Sequence, residues 1–281
     1  MAGINQARVA VVTGAGGTLC SEMSLALAKQ DIKVALLGRD LDKLKFVEAK
    51  ILENGGTAIS ISTDVISEEQ VTKARNEIIE KLGFCSILIN GAGGNQMEAV
   101  TTFTAFDSKE LGTATATERG FLNLNMETFL SVLQVNTMGT VIPCKIFAKD
   151  MAQNGGGTII NIASMNSFRP LSRVGAYGMA KAGIANFTHW LATYLAPANI
   201  RVNAIAPGFF INERSKKILF NPDGSKSPRG ENILRQTPLK RFGEAKELIG
   251  CMNWLINDNE AGFVTGTVIP IDGGFIADSG I

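Results

Sequence analysis

Seven short apolar runs, rich in β-branched residues, alternate with helical patterns along this chain, and no other feature restricts its fold as much. The runs lie at 7–14 (ARVAVVTG), 32–38 (IKVALLG), 57–63 (TAISIST), 85–90 (CSILIN), 157–164 (GTIINIAS), 200–208 (IRVNAIAPG) and 266–274 (GTVIPIDGG). Their apolar residues are consecutive rather than alternating with polar ones, as in strands covered on both faces. Periodicity predicts helices over 21–30, 41–53, 68–82, 126–153, 174–196 and 245–257. Asn54-Gly55-Gly56 and Asn154-Gly155-Gly156 supply glycine stops. Ser67 with Gln70 reads as a capping box, and Asn125 as an N-cap. Strands alternating with helices imply a parallel sheet with right-handed crossovers. Seven such units fill one doubly wound α/β domain of roughly 250 residues. Residues 1–281 are therefore expected to be a single domain.

Two stretches exceed the short loops of such folds. Residues 94–124 are rich in Thr, Ala and Gly with weak periodicity, and 209–244 are basic and turn-rich in the middle. The plain reading of both is surface insertion. Both follow strand C-termini, the edge where open α/β sheets bind ligands, which favours a substrate rim or lid.

Composition narrows the function classes. Apolar residues are 45% and charged residues 19%, so a sizeable core is available and disorder is excluded. A net charge of +1 gives no footprint for nucleic acid or an anionic membrane surface. There is no run of about 18 apolar residues and no cleavage signal before the first strand, so a cytoplasmic protein without a membrane span is expected. Cys20, Cys85, Cys144 and Cys251 are far apart, and His189 is the single histidine, so no metal site of the usual spacing is expected. The cysteines read as buried small hydrophobes in a reducing compartment. Glycine is abundant, 30 of 281, which points to tight turns or close backbone approach to a ligand.

The first strand ends in Thr13-Gly14-Ala15-Gly16-Gly17-Thr18-Leu19-Cys20 and runs into a helix. Such a turn lets backbone N–H groups and a helix N-terminus face a pyrophosphate. The second strand ends in Gly38-Arg39, where an NAD-selective site would carry an acid for the ribose 2′-hydroxyl. A guanidinium there can pair with a 2′-phosphate, which favours NADP(H); a solvated arginine at a helix start is the alternative. Tyr177 and Lys181 stand four apart and share a helix face. A free phenol has a pKa of about 10, too high for a general base at neutral pH, and a neighbouring cation favours the phenolate. Ser164, at the end of the fifth strand, could hold the same substrate oxygen. An ordinary amphipathic helix explains the Tyr/Lys spacing alone, but not its coincidence with Ser164, the glycine turn and the strand order.

Over essentially its whole length the sequence resembles the short-chain dehydrogenase/reductase family. The match is carried by Gly14–Leu19, Asp64-Val65, Asn90-Gly91-Ala92-Gly93, Asn136, Ser164, Tyr177, Lys181 and Pro207-Gly208. The resemblance implies a Rossmann fold, NAD(P)(H) as cofactor and an oxidoreductase acting on a CH–OH group. It makes Tyr177 the catalytic acid/base and has Ser164 orient the carbonyl. Lys181 would lower the Tyr177 pKa and bind the nicotinamide ribose. Asn136 would bend its helix and position a water in the proton relay. Gly14, Gly16, Gly17, Thr18 and Leu19 would cradle the pyrophosphate, and Arg39 the ribose. Asp64 beside Val65 would contact adenine. Asn90, Gly91 and Ala92 would line the cofactor floor, with Pro207 and Gly208 counted in the same site.

Within that family, Ser164-Met165-Asn166, 206–210 (APGFF), 237–243 (TPLKRFG), 272–275 (DGGF) and Gly93-Gly94-Asn95 are similar to the D-mannonate oxidoreductases (fructuronate reductases). A sugar acid, D-mannonate or D-fructuronate, is then the expected substrate. Asn95, Ser164, Asn166, Arg173 and Tyr177 are its expected contacts, and Arg169, Arg214 and Arg229 are further candidates for its carboxylate. One rival is a reductase of 5-ketogluconate or of a 3-oxoacyl thioester, the latter docking on Lys216, Lys217, Lys226 and Arg229. Another is a non-catalytic dinucleotide-binding protein, motivated by Thr18 and Cys20, which replace two of the family's glycines. Against it, Asn136, Ser164, Tyr177 and Lys181 are all present. With Thr18 in place, either the dinucleotide is displaced or Gly16 and Gly17 restore the room and Thr18 donates to phosphate; the second is preferred. Asn212 stands where the family often has threonine. His189, with Trp190 and Tyr194, reads as a packing or subunit-contact residue. The resemblance also implies a homotetramer, using the apolar segments 126–149 and 182–195.

Overall fold

Strand β1 (Val9–Thr13) buries all five of its residues, as an apolar run covered on both faces must. The computed structural model describes residues 8–278, apart from the side chain of Arg214. After β1 come α1 (Thr18–Ala28), β2 (Lys33–Gly38), α2 (Leu41–Glu53), β3 (Ala58–Ser62), α3 (Glu68–Lys81) and β4 (Ile87–Asn90). Beyond the first insertion lie α4 (Met126–Gln153), β5 (Gly157–Ile162), α5 (Gly175–Leu195) and β6 (Ile200–Pro207). The second insertion holds α6 (Glu213–Leu219) and α7 (Pro228–Gln236); α8 (Ile249–Ile256), α9 (Asp258–Ala261) and β7 (Val268–Ile271) follow. The strands are all parallel, in the order β3-β2-β1-β4-β5-β6-β7. This is the expected doubly wound Rossmann sheet. Its order reverses between β1 and β4, which opens a crevice at the carboxyl ends of those strands.

Each face of the sheet carries its own core. Ala10 and Val12 of β1 pack with Met23 and Leu27 of α1, Leu44 and Ile51 of α2, and Met252 and Leu255 of α8. Val9 and Val11 turn to the other side, where Ile78 of α3, Phe147 and Met151 of α4 and Leu191 of α5 cover them. The period-2 alternation of strand side chains makes one run serve both layers. Asp150 of α4, fully buried, is paired by Arg75 of α3, so its charge is compensated rather than orphaned.

The expected helices 41–53 and 126–153 match α2 and α4, and Asn125 does cap α4 by accepting from Thr128 N (2.8 Å). Two details differ. Helix α1 begins at Thr18, three residues before the expected start, because glycine at the N-cap leaves the first turn free to wind at once. The Ser67 cap is real, but the Gln70 side chain accepts from Asp64 N (2.9 Å), so the reciprocal half of the box is not made. The second insertion, expected to be turn-rich, contains two helices. Ser227 caps α7 and Pro228 occupies its first position, a combination that favours helix initiation. The first insertion is tied by its own polar groups. The buried Glu110 carboxylate accepts from Asp107 N and Leu122 N, and Arg119 donates to the carbonyls of Met97 and Val100.

Candidate active site

The glycine turn after β1 and the first turn of α1 form one wall of a cavity of about 520 Å3 at the carboxyl edge of the sheet. Gly14 has φ +67°, and a Cβ there would stand 2.8 Å from the Ala92 backbone, so glycine alone lets the ends of β1 and β4 meet. Thr13 Oγ1 stitches the same ends by accepting from Gly91 N (3.1 Å) and Ala92 N (3.2 Å). Nothing in the sequence but a hydroxyl at a buried strand end marks Thr13. Helix α1 has no side-chain cap and no acid in its first turn. Its leading N–H groups are therefore left for an anion. This uncapped, glycine-walled cradle fits the pyrophosphate of a dinucleotide.

The two departures from the family turn take different positions. Thr18 is exposed and lies on the cavity wall, at the head of α1. Cys20 is buried, and a Cβ on Gly91 would stand 2.1 Å from its Sγ. Cys20 thus fills the room above Gly91 as an apolar group, and burial pushes its thiol up to about 12. The opposite wall comes from Gly38, Arg39, Asp40 and Lys43, where Lys43 pairs with Asp40 at 2.7 Å. Arg39 is exposed there, at the mouth. Gly91 and Gly93 line the floor.

Several expected cofactor residues lie off this wall. Asn90 is 1% exposed and its Nδ2 donates to Asn161 Oδ1 (2.9 Å), which in turn leads to Thr188 of α5. Its side chain ties β4 to β5 beneath the site and does not reach the cofactor floor, because strand alternation points it into the helical layer. Ala92 offers its backbone to Thr13 rather than to the cavity. Asp64 accepts from Ile66 N and turns the chain after β3, while Val65 is buried and close to Gly139 of α4. Pro207 ends β6, and Gly208 is needed where that end meets β7: a Cβ would stand 2.6 Å from Asp272 Cα. The wall on that side is made instead by Asn212 and Glu213, at the start of α6.

Beside the cavity the expected catalytic residues come together. Ser164 follows β5, and its Oγ accepts from Asn166 N (3.1 Å). Tyr177 and Lys181 sit one turn apart on α5, the Lys181 Nζ 5.6 Å from the centre of the Tyr177 ring. Lys181 is 4% exposed and donates to Ile162 O (2.7 Å). Asn136 is fully buried; its Nδ2 donates to Gly94 O (2.7 Å) and Val132 O (2.8 Å), and its Oδ1 accepts from Gly94 N (3.2 Å). Asn136 therefore clamps the start of the first insertion to α4, which runs unbroken through it. A Cβ on Gly93 would meet Asn136 Oδ1 at 2.4 Å and lie 3.7 Å from Lys181 Nζ, so these groups converge at the floor.

The electrostatics correct one expectation. Burial pushes the Tyr177 phenol above its ordinary value, and a hydrogen bond from the Ser164 hydroxyl pulls it part of the way back. Burial also lowers the Lys181 ammonium to about 8. In the chain by itself, Ser164 rather than Lys181 is the group that favours the phenolate. Lys181 faces the ring, spends a proton on a carbonyl, and is itself desolvated.

The expected substrate contacts divide. Asn166 is 4% exposed, its Oδ1 accepts from Leu171 N (2.9 Å), and it abuts Gly178, so it shapes the loop before α5. Asn95 Oδ1 is used by Gln96 N (3.0 Å). Arg169 Nη1 donates to Phe275 O (3.3 Å) and Asp278 O (2.8 Å), which ties it to the C-terminal segment. Arg173 Nε donates to Thr101 O (2.7 Å) and leaves its terminal nitrogens without a described hydrogen bond. The side chain of Arg214 lies outside the described residues. His189 Nδ1 bonds the Gly266 carbonyl (2.8 Å), a packing contact between α5 and the approach to β7. Among the described residues no three His, Cys, Asp or Glu side chains could hold a metal, and no helix is long and apolar enough to cross a membrane.

Residues 8–219 match a family model described as short chain dehydrogenase. An uncharacterized oxidoreductase of Haemophilus influenzae is 42% identical, over 98% of this chain and 95% of its own length. The uncharacterized oxidoreductase UxuB of Bacillus subtilis is 38% identical, over 98% and 96%. A crystal structure of a Haemophilus protein provisionally named D-mannonate oxidoreductase, with bound NAD, superposes with a TM-score of 0.92 at 41% identity, covering 98% of this chain and 96% of that one. Fold, nicotinamide cradle and sequence likeness thus converge, and the chain belongs to the short-chain dehydrogenase/reductase family of NAD(P)-dependent oxidoreductases.

Proposed function

We propose that the chain interconverts a sugar acid and its keto form, with D-mannonate and D-fructuronate as the leading pair. The observation that carries this reading is Tyr177 with the buried Lys181 ammonium 5.6 Å from its ring and the Ser164 hydroxyl favouring its phenolate, beside the dinucleotide cavity, in a chain 41% identical to the Haemophilus protein named for that substrate. The nicotinamide group, when bound, supplies or accepts the hydride. Tyr177 gives its phenolic proton to the carbonyl oxygen in reduction and takes the hydroxyl proton in oxidation. Ser164 holds the same oxygen and stabilises the phenolate. Lys181 and Asn136 fix the floor of the site.

Arg39 at the mouth favours the 2′-phosphate of NADP(H), although the Haemophilus relative was crystallised with NAD. We therefore expect both cofactors to work, with NADP(H) preferred. Four free cysteines, three of them buried, suit a reducing compartment such as the cytoplasm. The stacked, exposed Trp190 and Tyr194 on α5 and Met138 on α4 suit a homotetramer built on those helices.

A second reading, reduction of a 3-oxoacyl thioester, has one support: Lys216 and Lys217 border a cavity lined by Ile211 and Phe220. Initial rates with D-fructuronate, 5-ketogluconate and an acetoacetyl thioester, each with NADH and NADPH, separate the readings. D-fructuronate is expected to give the largest kcat/KM. A thioester preference of tenfold or more would replace it.

A further inference from the structure

We infer that residues 97–102 of the first insertion are a splint for Tyr177, and that Arg173 and Arg119 are the positioning residues that hold it in place. The inference rests on the reading of Tyr177 as the group that moves the proton, and adds what fixes that group. Helix α5, which carries Tyr177, opens without a side-chain cap, its N-cap being Val174. Nothing in the helix itself therefore fixes how the chain enters its first turn. The first insertion does so. Thr101 N donates to Arg173 O (3.0 Å), and Arg173 Nε donates back to Thr101 O (2.7 Å). Arg173 has φ +76°, a conformation rare for a residue with a Cβ and kept only where neighbours enforce it. The two-way clasp enforces it immediately before the cap.

The same segment bears on the phenol. Ala99 is fully buried and forms one cluster with Val132 of α4 and Ala176 of α5, against which Phe129 and Tyr177 pack. From its far side the segment is braced by Arg119. Arg119 Nε donates to Val100 O (2.8 Å) and Nη2 to Met97 O (2.7 Å), so the carbonyls on either side of Ala99 are held by one guanidinium. The backbone of Arg119 also pairs with Thr102, whose N donates to Arg119 O (2.7 Å). Upstream, Asn136 holds Gly94, and Gln96 Nε2 donates to Ser131 Oγ of α4 (3.0 Å). The segment is thus pinned to α4 at its start and braced along its length, while Ala99 and Thr101 meet the ring's surroundings and the backbone ahead of it. These contacts exclude water from one side of the ring and set where its oxygen stands. A misplacement of about 1 Å at a reacting group is enough to cost about 100-fold in rate.

Arg173→Met keeps the length of the side chain and removes the Nε donor. Arg119→Met removes both side-chain bonds to the segment and decides alone where the first variant does not fold. Each is compared with the parent by hydrogen exchange over residues 174–181. Each is also compared by kcat, KM and the pH–rate profile, with saturating NAD(P)+ and the alcohol corresponding to the best substrate of the panel above. Both variants are expected to exchange faster at the first turn of α5, with exchange in β5 and β6 unchanged. Their kcat is expected to fall about 10- to 100-fold while KM stays within about twofold. The ascending limb of alcohol oxidation is expected to move to lower pH, because water admitted to the ring eases its desolvation. Arg173→Lys, which supplies a donor one bond further out, is expected to restore most of kcat. A raised KM with kcat kept in Arg173→Met would make Arg173 a substrate contact and overturn the splint. Unchanged exchange in both variants would overturn it whatever the rates, and so would faster exchange with kcat and the limb unmoved. Tyr177→Phe as active as the parent, with faster exchange in both arginine variants, would instead overturn the proton-transfer reading and leave the splint standing.

Discussion

At the scale of single residues, the site depends on how burial and one hydroxyl divide the control of a phenol. Ser164 is the group that lowers the Tyr177 pKa against its desolvation. Removing it leaves the phenol protonated to higher pH. Ser164→Ala is therefore expected to move the ascending limb of the kcat/KM profile for alcohol oxidation to higher pH, as well as to lower the rate. A pH–rate profile of the variant checks this; an unmoved limb would detach Ser164 from the phenolate. The identities of Ser164, Tyr177 and Lys181 were legible from spacing and strand order. The direction of the Tyr177 shift was not, because desolvation depends on what covers α5, and that is set by distant parts of the chain. Asn90 shows the same limit: the motif gives the residue, but only the strand's pleat decides that its amide turns toward Asn161.

At the scale of elements, the β1–α1 turn and the end of β4 behave as one fitted pair. Cys20 occupies the space that a side chain at Gly91 would need. Gly91→Ala is expected to destabilise the protein by about 1–3 kcal/mol through overpacking. Cys20→Ala, which deletes the Sγ but keeps the Cβ, is expected to recover part of that loss in the double variant. Denaturant unfolding of the four proteins measures the coupling, and strict additivity would contradict the fit. The same pair explains how the irregular turn is accommodated: Gly91 leaves room for Cys20, so the close approach of β1 and β4 is kept with Cys20 in place. The helices of the second insertion were less legible. Basic and turn-forming residues mask the periodicity of 209–244, although Ser227-Pro228 is a helix start and Ile233 with Leu234 its buried side.

At the scale of the whole molecule, the parallel, doubly wound sheet followed directly from the alternation of runs. Protonation also acts globally. Burial raises Cys20 and Cys144 to about 12 and Cys251 to about 11, and raises Cys85 further. Unfolded thiols titrate at about 8.5, so above that pH the folded chain holds protons that the unfolded chain has lost, and stability falls. Lys181 has the opposite sign. Its ammonium is lowered to about 8 in the fold. Between there and the unfolded value of about 10.4, the unfolded chain binds more protons, so this group's contribution rises with pH. Unfolding midpoints are therefore expected to fall above a pH of about 8.5, and to fall more steeply in Lys181→Met than in the parent. Equal slopes would mean that Lys181 is not desolvated.

In the proposed reaction Tyr177 moves the proton while a nicotinamide cofactor exchanges hydride with a keto sugar acid. Initial rates of NAD(P)H consumption with D-fructuronate, for the parent and Tyr177→Phe at matched cofactor saturation, test it most directly. The parent is expected to turn over steadily and the variant to lose about 10²–10⁴-fold of that rate, with cofactor affinity nearly intact. Equal turnover by the two proteins would contradict it.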